Sequence, residues 1–181
     1  MPLPRTKLSR ADFDRFYEVV NGDRVENLPK GNYENQVASI ILHALIAFTQ
    51  PRRMGWAILE NLFVLDPVRG NRRRPDIAFV SRQRWPHRRV PDGEAWDVVP
   101  DLAVEVISVS NAHQEILTKL EEYFRAGVLL VWVIYPELQQ AHVYSAPTNP
   151  RILKRTDELS GEEVIPGFRL PVATLFEEMT D

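Results

Sequence analysis

Hydrophobic and polar positions recur along this chain with two different periods, and each change of period marks an element. From Tyr17 to Glu26 short β-prone arms flank Asn21-Gly22, the pair that supplies the two positive-φ positions of a type I′ turn, so a hairpin is predicted. Val37, Ile40, Ile41, Ala44, Leu45 and Phe48 then fall at i, i+3, i+4, i+7, i+8 and i+11, which predicts an amphipathic helix from about Tyr33 to Phe48, ended by Pro51. Upstream, Ser9-Arg10-Ala11-Asp12 reads as the cap of a short helix through Phe13 and Phe16.

The period then shortens. Trp56 to Leu65 reads as one strand stopped by Asp66-Pro67, an arginine-rich loop follows, and Asp76 to Val80 is a second strand. Residues 81–99 are loop-like, punctuated by Trp85-Pro86, Pro91-Asp92-Gly93 and Pro100. In the third strand, Leu102 to Ile107, period two puts Ala103, Glu105 and Ile107 on one face and Leu102, Val104 and Val106 on the other. Ser110 or Asn111 caps a helix through Ile116, Leu117, Leu120, Tyr123 and Phe124, with Gly127 at its C′ position. Val128 to Tyr135 is a continuous apolar run, the mark of a strand covered on both faces. Gln140 to Tyr144 reads as a further strand, and a short helix is expected near Leu175. A helix between the third strand and the apolar run is a crossover, which makes those two strands parallel. The fold class is mixed α/β, with a single domain over residues 1–181.

Composition narrows the function classes. With 44% apolar and 26% charged residues the chain is ordinary globular protein, without an apolar run long enough to span a bilayer. It has no cysteine, which removes disulfides, thiolate metal sites and cysteine nucleophiles, and a cytoplasmic location is the expectation. The net charge of −3 conceals an asymmetry: residues 51–90 carry a local +7 and residues 91–181 a local −10. The basic segment could contact phosphates despite the acidic total, because such contacts answer to the local field. Solvated loops, or pairing with the acidic half, would explain the same arginines.

The candidate chemistry sits between Arg74 and Lys119. Asp76 and Glu105 lie inside apolar, strand-like runs, where an ionised group costs several kcal/mol unless it is paired or metal-bound. Two carboxylates on neighbouring strands could converge on Mg²⁺, with the backbone carbonyl of Val106 as an extra ligand, and a lysine nearby would orient water and stabilise developing negative charge. Plainer assignments stand beside these: Asp76 as a turn cap after Pro75, Glu105 in a salt bridge with an arginine, Lys119 in an i,i+4 pair with Glu115. A two-carboxylate glycosidase ranks last, because no aromatic sugar platform is visible. The histidines show no ligand spacing.

Pro75-Asp76 followed by Glu105 within a strand resembles the PD-(D/E)xK nuclease superfamily. The longer strings are similar to one branch of it, the Uma-two family of restriction-endonuclease-like proteins. They are Tyr17-Glu18-Val19-Val20-Asn21-Gly22, Arg74-Pro75-Asp76-Ile77-Ala78-Phe79-Val80 and Pro100-Asp101-Leu102-Ala103-Val104-Glu105-Val106-Ile107-Ser108. Lys119-Leu120-Glu121-Glu122-Tyr123-Phe124-Arg125-Ala126-Gly127-Val128, Val131 to Pro136 and Ile165-Pro166-Gly167-Phe168 continue the series.

The resemblance implies a restriction-endonuclease-like αβββαβ core with a mixed central sheet behind the N-terminal hairpin. It implies Asp76 and Glu105 as ligands of Mg²⁺ or Mn²⁺, joined by the Val106 carbonyl, and hydrolysis of DNA to 5′-phosphate and 3′-hydroxyl ends. The superfamily's usual lysine position falls on Ile107, and Lys119 on the following helix stands in the branch's migrated place. Glu18 or Glu34 is expected as an auxiliary acid, and Arg72, Arg73 and Arg74 as phosphate contacts. A homodimer is expected by analogy. Three places depart from the branch: Tyr33 stands for a histidine, Tyr135 for an aspartate, and His113-Gln114-Glu115 lacks the aspartate before the lysine. A nuclease-fold module that binds DNA or a partner without cleaving is the alternative.

Overall fold

The computed structural model describes residues 16–27, 29–107 and 113–177. The short helix expected after Ser9 and the cap at Ser110 or Asn111 lie outside these residues.

The N-terminal hairpin is β1 (Tyr17–Val20) and β2 (Asp23–Glu26), turned at Asn21 and Gly22, whose φ values of 53° and 87° are those the sequence pair predicted. Helix α1 (Asn32–Thr49) follows, then β3 (Gly55–Leu59), β4 (Leu62–Asp66), β5 (Asn71–Arg73), β6 (Ile77–Ser81), β7 (Ala95–Trp96) and β8 (Leu102–Val106). Helix α2 (His113–Ala126) leads to β9 (Leu130–Tyr135) and β10 (Gln140–Tyr144). The remainder is β11 (Arg151–Leu153), β12 (Glu158–Ser160), β13 (Arg169–Pro171) and a 3₁₀ turn at Val172–Phe176.

The main sheet has six strands in the order β11-β10-β9-β8-β6-β3. β8 and β9 are parallel, as the α2 crossover requires, and the other neighbours are antiparallel. Read through this sheet the order is α1-β3-β6-β8-α2-β9, the expected αβββαβ core. Period two sorts its faces. Phe79, Leu102, Val104, Val106 and Trp132 pack under Val37, Ile41 and Leu45 of α1. Ala78, Val80, Ala103, Ile107, Val131 and Val133 pack under Ile116, Leu120 and Tyr123 of α2. The continuous apolar run of β9 is thus covered on both sides.

A second, five-stranded sheet, β2-β1-β5-β4-β7, corrects two sequence expectations. Trp56–Leu65 is two strands in two sheets, because Glu60 adopts φ 45° and turns the chain between them. The arginine-rich stretch is in part β5, the return arm of a hairpin with β4. Asp66 shapes that turn by accepting the N–H groups of Val68 and Arg69, both at 3.0 Å. β5 pairs with β1 at Val19 and Arg72, and Asn71 Oδ1 accepts the Asn21 N–H at 2.7 Å. This pairing is what carries Glu18 and Arg73 toward the main sheet.

Candidate active site

Register places the two carboxylates. β6 and β8 pair Phe79 with Leu102, Ala78 with Ala103 and Ile77 with Val104, so one further step sets Asp76 opposite Glu105. Both are buried and, by alternation, both project to the face that α2 covers. Asp76 sits just where pairing ends: its carbonyl accepts the Glu60 N–H at 2.9 Å and its Oδ2 accepts the Val106 N–H at 2.5 Å. The carboxylate is therefore fixed while the strand beside it opens.

Lys119 and Tyr123, one turn apart on α2, reach the same point from above. Lys119 Nζ lies 3.4 Å from both Glu105 oxygens and 3.2 Å from Glu18 Oε1. Tyr123 Oη donates to Glu105 Oε1 at 2.7 Å. Glu18, on β1, also accepts the Arg74 N–H at 2.9 Å and Arg73 Nη1 at 2.7 Å, and Arg73 Nε donates to Glu122 Oε2 at 2.5 Å. The result is a buried chain of alternating charge from Glu122 through Arg73, Glu18 and Lys119 to Glu105.

That chain is short of positive charge. With the neighbouring Asp76 counted and every carboxyl ionised, Glu122, Glu18, Glu105 and Asp76 stand against Arg73 and Lys119, a formal deficit of two. Lys30 supplies one: its ammonium contacts both Asp76 Oδ2 and the Val106 carbonyl oxygen. The site already gathers a cation between these two oxygens, with Glu105 close enough to feel its charge.

Burial and then the neighbouring charges set the titration behaviour. Burial raises the Asp76 carboxyl above its ordinary range, against the pull of Lys30 and the Val106 N–H. Burial also raises Glu105, which Lys119 opposes and the charge of Asp76 reinforces. For Lys119, burial disfavours the ammonium, but Glu105 and Glu18 outweigh it and the net shift is upward, so Lys119 stays charged. Glu18 moves the other way: burial opposes its ionisation, yet Lys119 and Arg73 together hold its pKa below the ordinary value. Burial and the charge of Glu105 push Tyr123 well up, leaving a neutral hydroxyl donor.

A cavity of about 260 Å³ opens onto this point, lined by Lys30, Arg74, Asp76, Glu105, Ile107 and Lys119 among others. Its donors suit a hard divalent ion: two carboxylates and one backbone carbonyl, all oxygen, where Mg²⁺ commonly takes one or two carboxylates and keeps several waters. No cluster of three or more acidic or histidine side chains with metal-holding geometry occurs among the described residues.

The family model described as "Uma2: Putative restriction endonuclease" matches residues 8–173. The chain belongs to the Uma2 family. Its fold is similar to the crystal structure of a "putative nuclease belonging to DUF820" from Anabaena variabilis, with a TM-score of 0.78 over 96% of this chain and 93% of that one, at 17% identity. No curated protein sequence matches.

Within this Uma2 chain the structure gathers Asp76, Glu105, Val106, Lys119 and Glu18 and separates the other candidates. Glu34 stays in the first turn of α1, folded back toward Gly31, and does not line the cavity. Arg73 is a correction: it is buried between Glu18 and Glu122 and presents no guanidinium to a phosphate. Arg74 is half-buried at the cavity rim, donating to the carbonyls of Glu60 at 2.5 Å and Tyr17 at 3.3 Å. Arg72 is partly exposed on β5. Sequence reasoning missed Lys30, Tyr123 and Glu122. The spacing held a signal for two of them, since positions three and four after an inward-facing Lys119 share its side of the helix. Lys30, in a loop between Pro29 and Gly31, carried none.

Proposed function

We propose that the chain is a Mg²⁺-dependent endonuclease that hydrolyses DNA phosphodiester bonds at Asp76, Glu105 and Lys119. One observation carries this reading: Asp76 Oδ2 and the Val106 carbonyl hold a single cation, the Lys30 ammonium, beside buried Glu105 and Lys119. When bound there, Mg²⁺ or Mn²⁺ would lower the pKa of a coordinated water and neutralise charge on the phosphoryl oxygens.

The chain's own groups divide the remaining work. Asp76 and Glu105 would hold the ion with the Val106 carbonyl, and the Val106 N–H fixes the Asp76 carboxylate in place. Tyr123 orients Glu105 by a hydrogen bond, leaving Glu105 Oε2 free of the hydroxyl. Lys119 is charged and faces the same cavity, so it suits orienting the attacking water and balancing the pentacoordinate charge, and it is too strongly held in its protonated form to act as a base. Glu18 keeps Lys119 in position and is the auxiliary acid that the N-terminal hairpin contributes.

A second reading, a nuclease-fold module that binds without cleaving, is favoured by the same lysine, since an ammonium satisfies the site without a metal. Nicking of supercoiled plasmid DNA with Mg²⁺ or Mn²⁺ separates the two. Cleavage by the native chain that disappears in Asp76→Ala and Glu105→Ala supports the enzyme. Cleavage persisting undiminished in both variants overturns it, and DNA retention without cleavage in any metal supports the module.

A further inference from the structure

Three arginines away from the candidate site line one concavity at the far end of the main sheet. Arg53, Arg82 and Arg88 are exposed and bound it together, and Arg53 and Arg82 also border an adjoining hollow of about 270 Å³ walled by Gly55, Trp56 and Ala57. Four of the other seven arginines in residues 51–90 are neutralised: Arg69 by Asp66, Arg73 by Glu18 and Glu122, Arg84 by Asp101, Arg89 by Asp92. Arg53, Arg82 and Arg88 form no ion pair with a carboxylate among the described residues. Of the charge on residues 51–90, this concavity therefore gathers three exposed guanidiniums in one place, whereas Arg73 is neutralised and Arg74 is turned onto the carbonyls of Glu60 and Tyr17.

Two features hold these charges at the surface. The Arg82 guanidinium stands 5.3 Å from the centre of the Trp56 ring. Arg53 occupies a left-handed position, φ 54°, at the turn closing α1, where glycine costs less.

The concavity is connected to the candidate site. β3 is the outer strand of its sheet and pairs Gly55 with Ser81 at the arginine end and Leu59 with Ile77 at the Asp76 end. Trp56, Ala57, Ile58 and Leu59 put no charged side chain between the two ends. Arg82 is six residues beyond Asp76, about 20 Å in extended chain, which corresponds to about six base pairs of duplex at 3.4 Å each. We infer that the Arg53–Arg82–Arg88 concavity grips the phosphate backbone of duplex DNA about six base pairs from the bond being cut. The inference rests on the nuclease reading for its choice of polyanion. A second copy of the chain is a poor occupant, because two-fold pairing would set arginine against arginine.

The test is fluorescence anisotropy with a fluorescein-labelled duplex of about 24 base pairs, in EDTA so that cleavage does not intervene, across a salt series. The triple variant R53Q/R82Q/R88Q is expected to lose tenfold or more in affinity at about 0.1 M salt and to flatten the log–log salt slope by about 2 to 3, as for two or three lost phosphate contacts. R89Q, whose partner is Asp92, is the control expected to change neither, and unaltered circular dichroism of the triple variant confirms its fold. An unchanged affinity and slope in the triple variant overturns the inference while leaving plasmid cleavage by Asp76 and Glu105 to be judged separately. Absence of DNA binding by the native chain also overturns it, as does displacement of the duplex by poly-glutamate at equal charge concentration.

Discussion

The Lys30 ammonium bridges Asp76 Oδ2 and the carbonyl oxygen of Val106, two groups proposed above to hold a divalent cation. The Val106 N–H donates to the same Asp76 oxygen, while the Lys30 side chain is about one-fifth exposed at the end of a loop. The lysine is thus the more exposed partner, and the carboxylate is the one held by a backbone N–H. Metal entry at these oxygens would require the ammonium to leave. Lys30→Gln is expected to bind Mn²⁺ about tenfold more tightly at low salt, because a competing charge at contact distance is gone. Titration followed by electron paramagnetic resonance reads this directly. Equal Mn²⁺ affinity in both proteins would show that Lys30 does not occupy the ion's place in solution.

Tyr123→Phe tests the support of Glu105. The hydroxyl donates to a buried carboxylate, and hydrogen bonds to charged groups contribute about 1.5–3 kcal/mol. Urea denaturation of the metal-free variant is expected to show a loss in that range. Plasmid nicking should fall with it, since Glu105 loses the group that fixes its orientation.

Lys119 carries two expectations that different substitutions separate. Lys119→Met leaves Glu105 and Glu18 without their shared cation, and breaking a buried pair from one side costs about 3–5 kcal/mol. Lys119→Arg keeps the charge and most of the stability but changes the shape at the cavity wall. If Lys119 orients water, the arginine variant is expected to remain folded and to lose about 10²-fold or more in cleavage rate. Wild-type cleavage by the arginine variant would confine Lys119 to a structural role.

The pH dependence of metal binding follows from the raised carboxyls. Asp76 and Glu105 bind protons more tightly in the folded chain than in the unfolded one, so in metal-free protein their contribution to stability is present below the ordinary carboxylate range and is lost as pH rises through their raised values. Glu18 has the opposite sign: its contribution is present above the ordinary glutamate pKa and is lost as pH falls through its lowered value. A divalent ion held by Asp76 and Glu105 would have to displace their protons. Mn²⁺ affinity is therefore expected to rise with pH above the ordinary carboxylate range and then level off, and Glu105→Gln should weaken binding and reduce the slope of that rise.

What could be read from the sequence followed from local rules. Asn21-Gly22 dictated a hairpin because few other pairs accept two positive φ values, and the alternation through Leu102–Ile107 put Glu105 on one face with Ala103 and Ile107, the face that the structure sets beneath α2. Asp76 and Glu105 were visible because charge inside an apolar strand is expensive. The break at Glu60 was not visible, since Leu59-Glu60-Asn61-Leu62 keeps the apolar flanks of a continuous strand and only tertiary bonds, Glu60 N–H to Asp76 and Arg74 to the Glu60 carbonyl, select the left-handed turn. The second sheet went unseen for the same reason, and with it the route by which Glu18 and Arg73 reach Lys119. Lys30 could not be found at all, because a loop lysine bears no periodicity.

Arg73 offers the sharpest contrast between what a basic run implies and what its fold makes of it. Three consecutive arginines, Arg72 to Arg74, look like a phosphate-binding strip, yet alternation along β5 turns Arg73 inward between Glu18 and Glu122. Its guanidinium is the joint between the second sheet, α2 and the candidate site. Arg73→Met should strand two buried carboxylates and cost about 3–5 kcal/mol in urea denaturation. Arg73→Lys is expected to recover only part of this, because one ammonium cannot reproduce a fork that donates from Nε to Glu122 and from Nη1 to Glu18. The DNA-binding salt slope of Arg73→Lys, measured on protein shown to be folded, is expected to match the native chain. A slope reduced by about one would mean that Arg73 contacts phosphate after all.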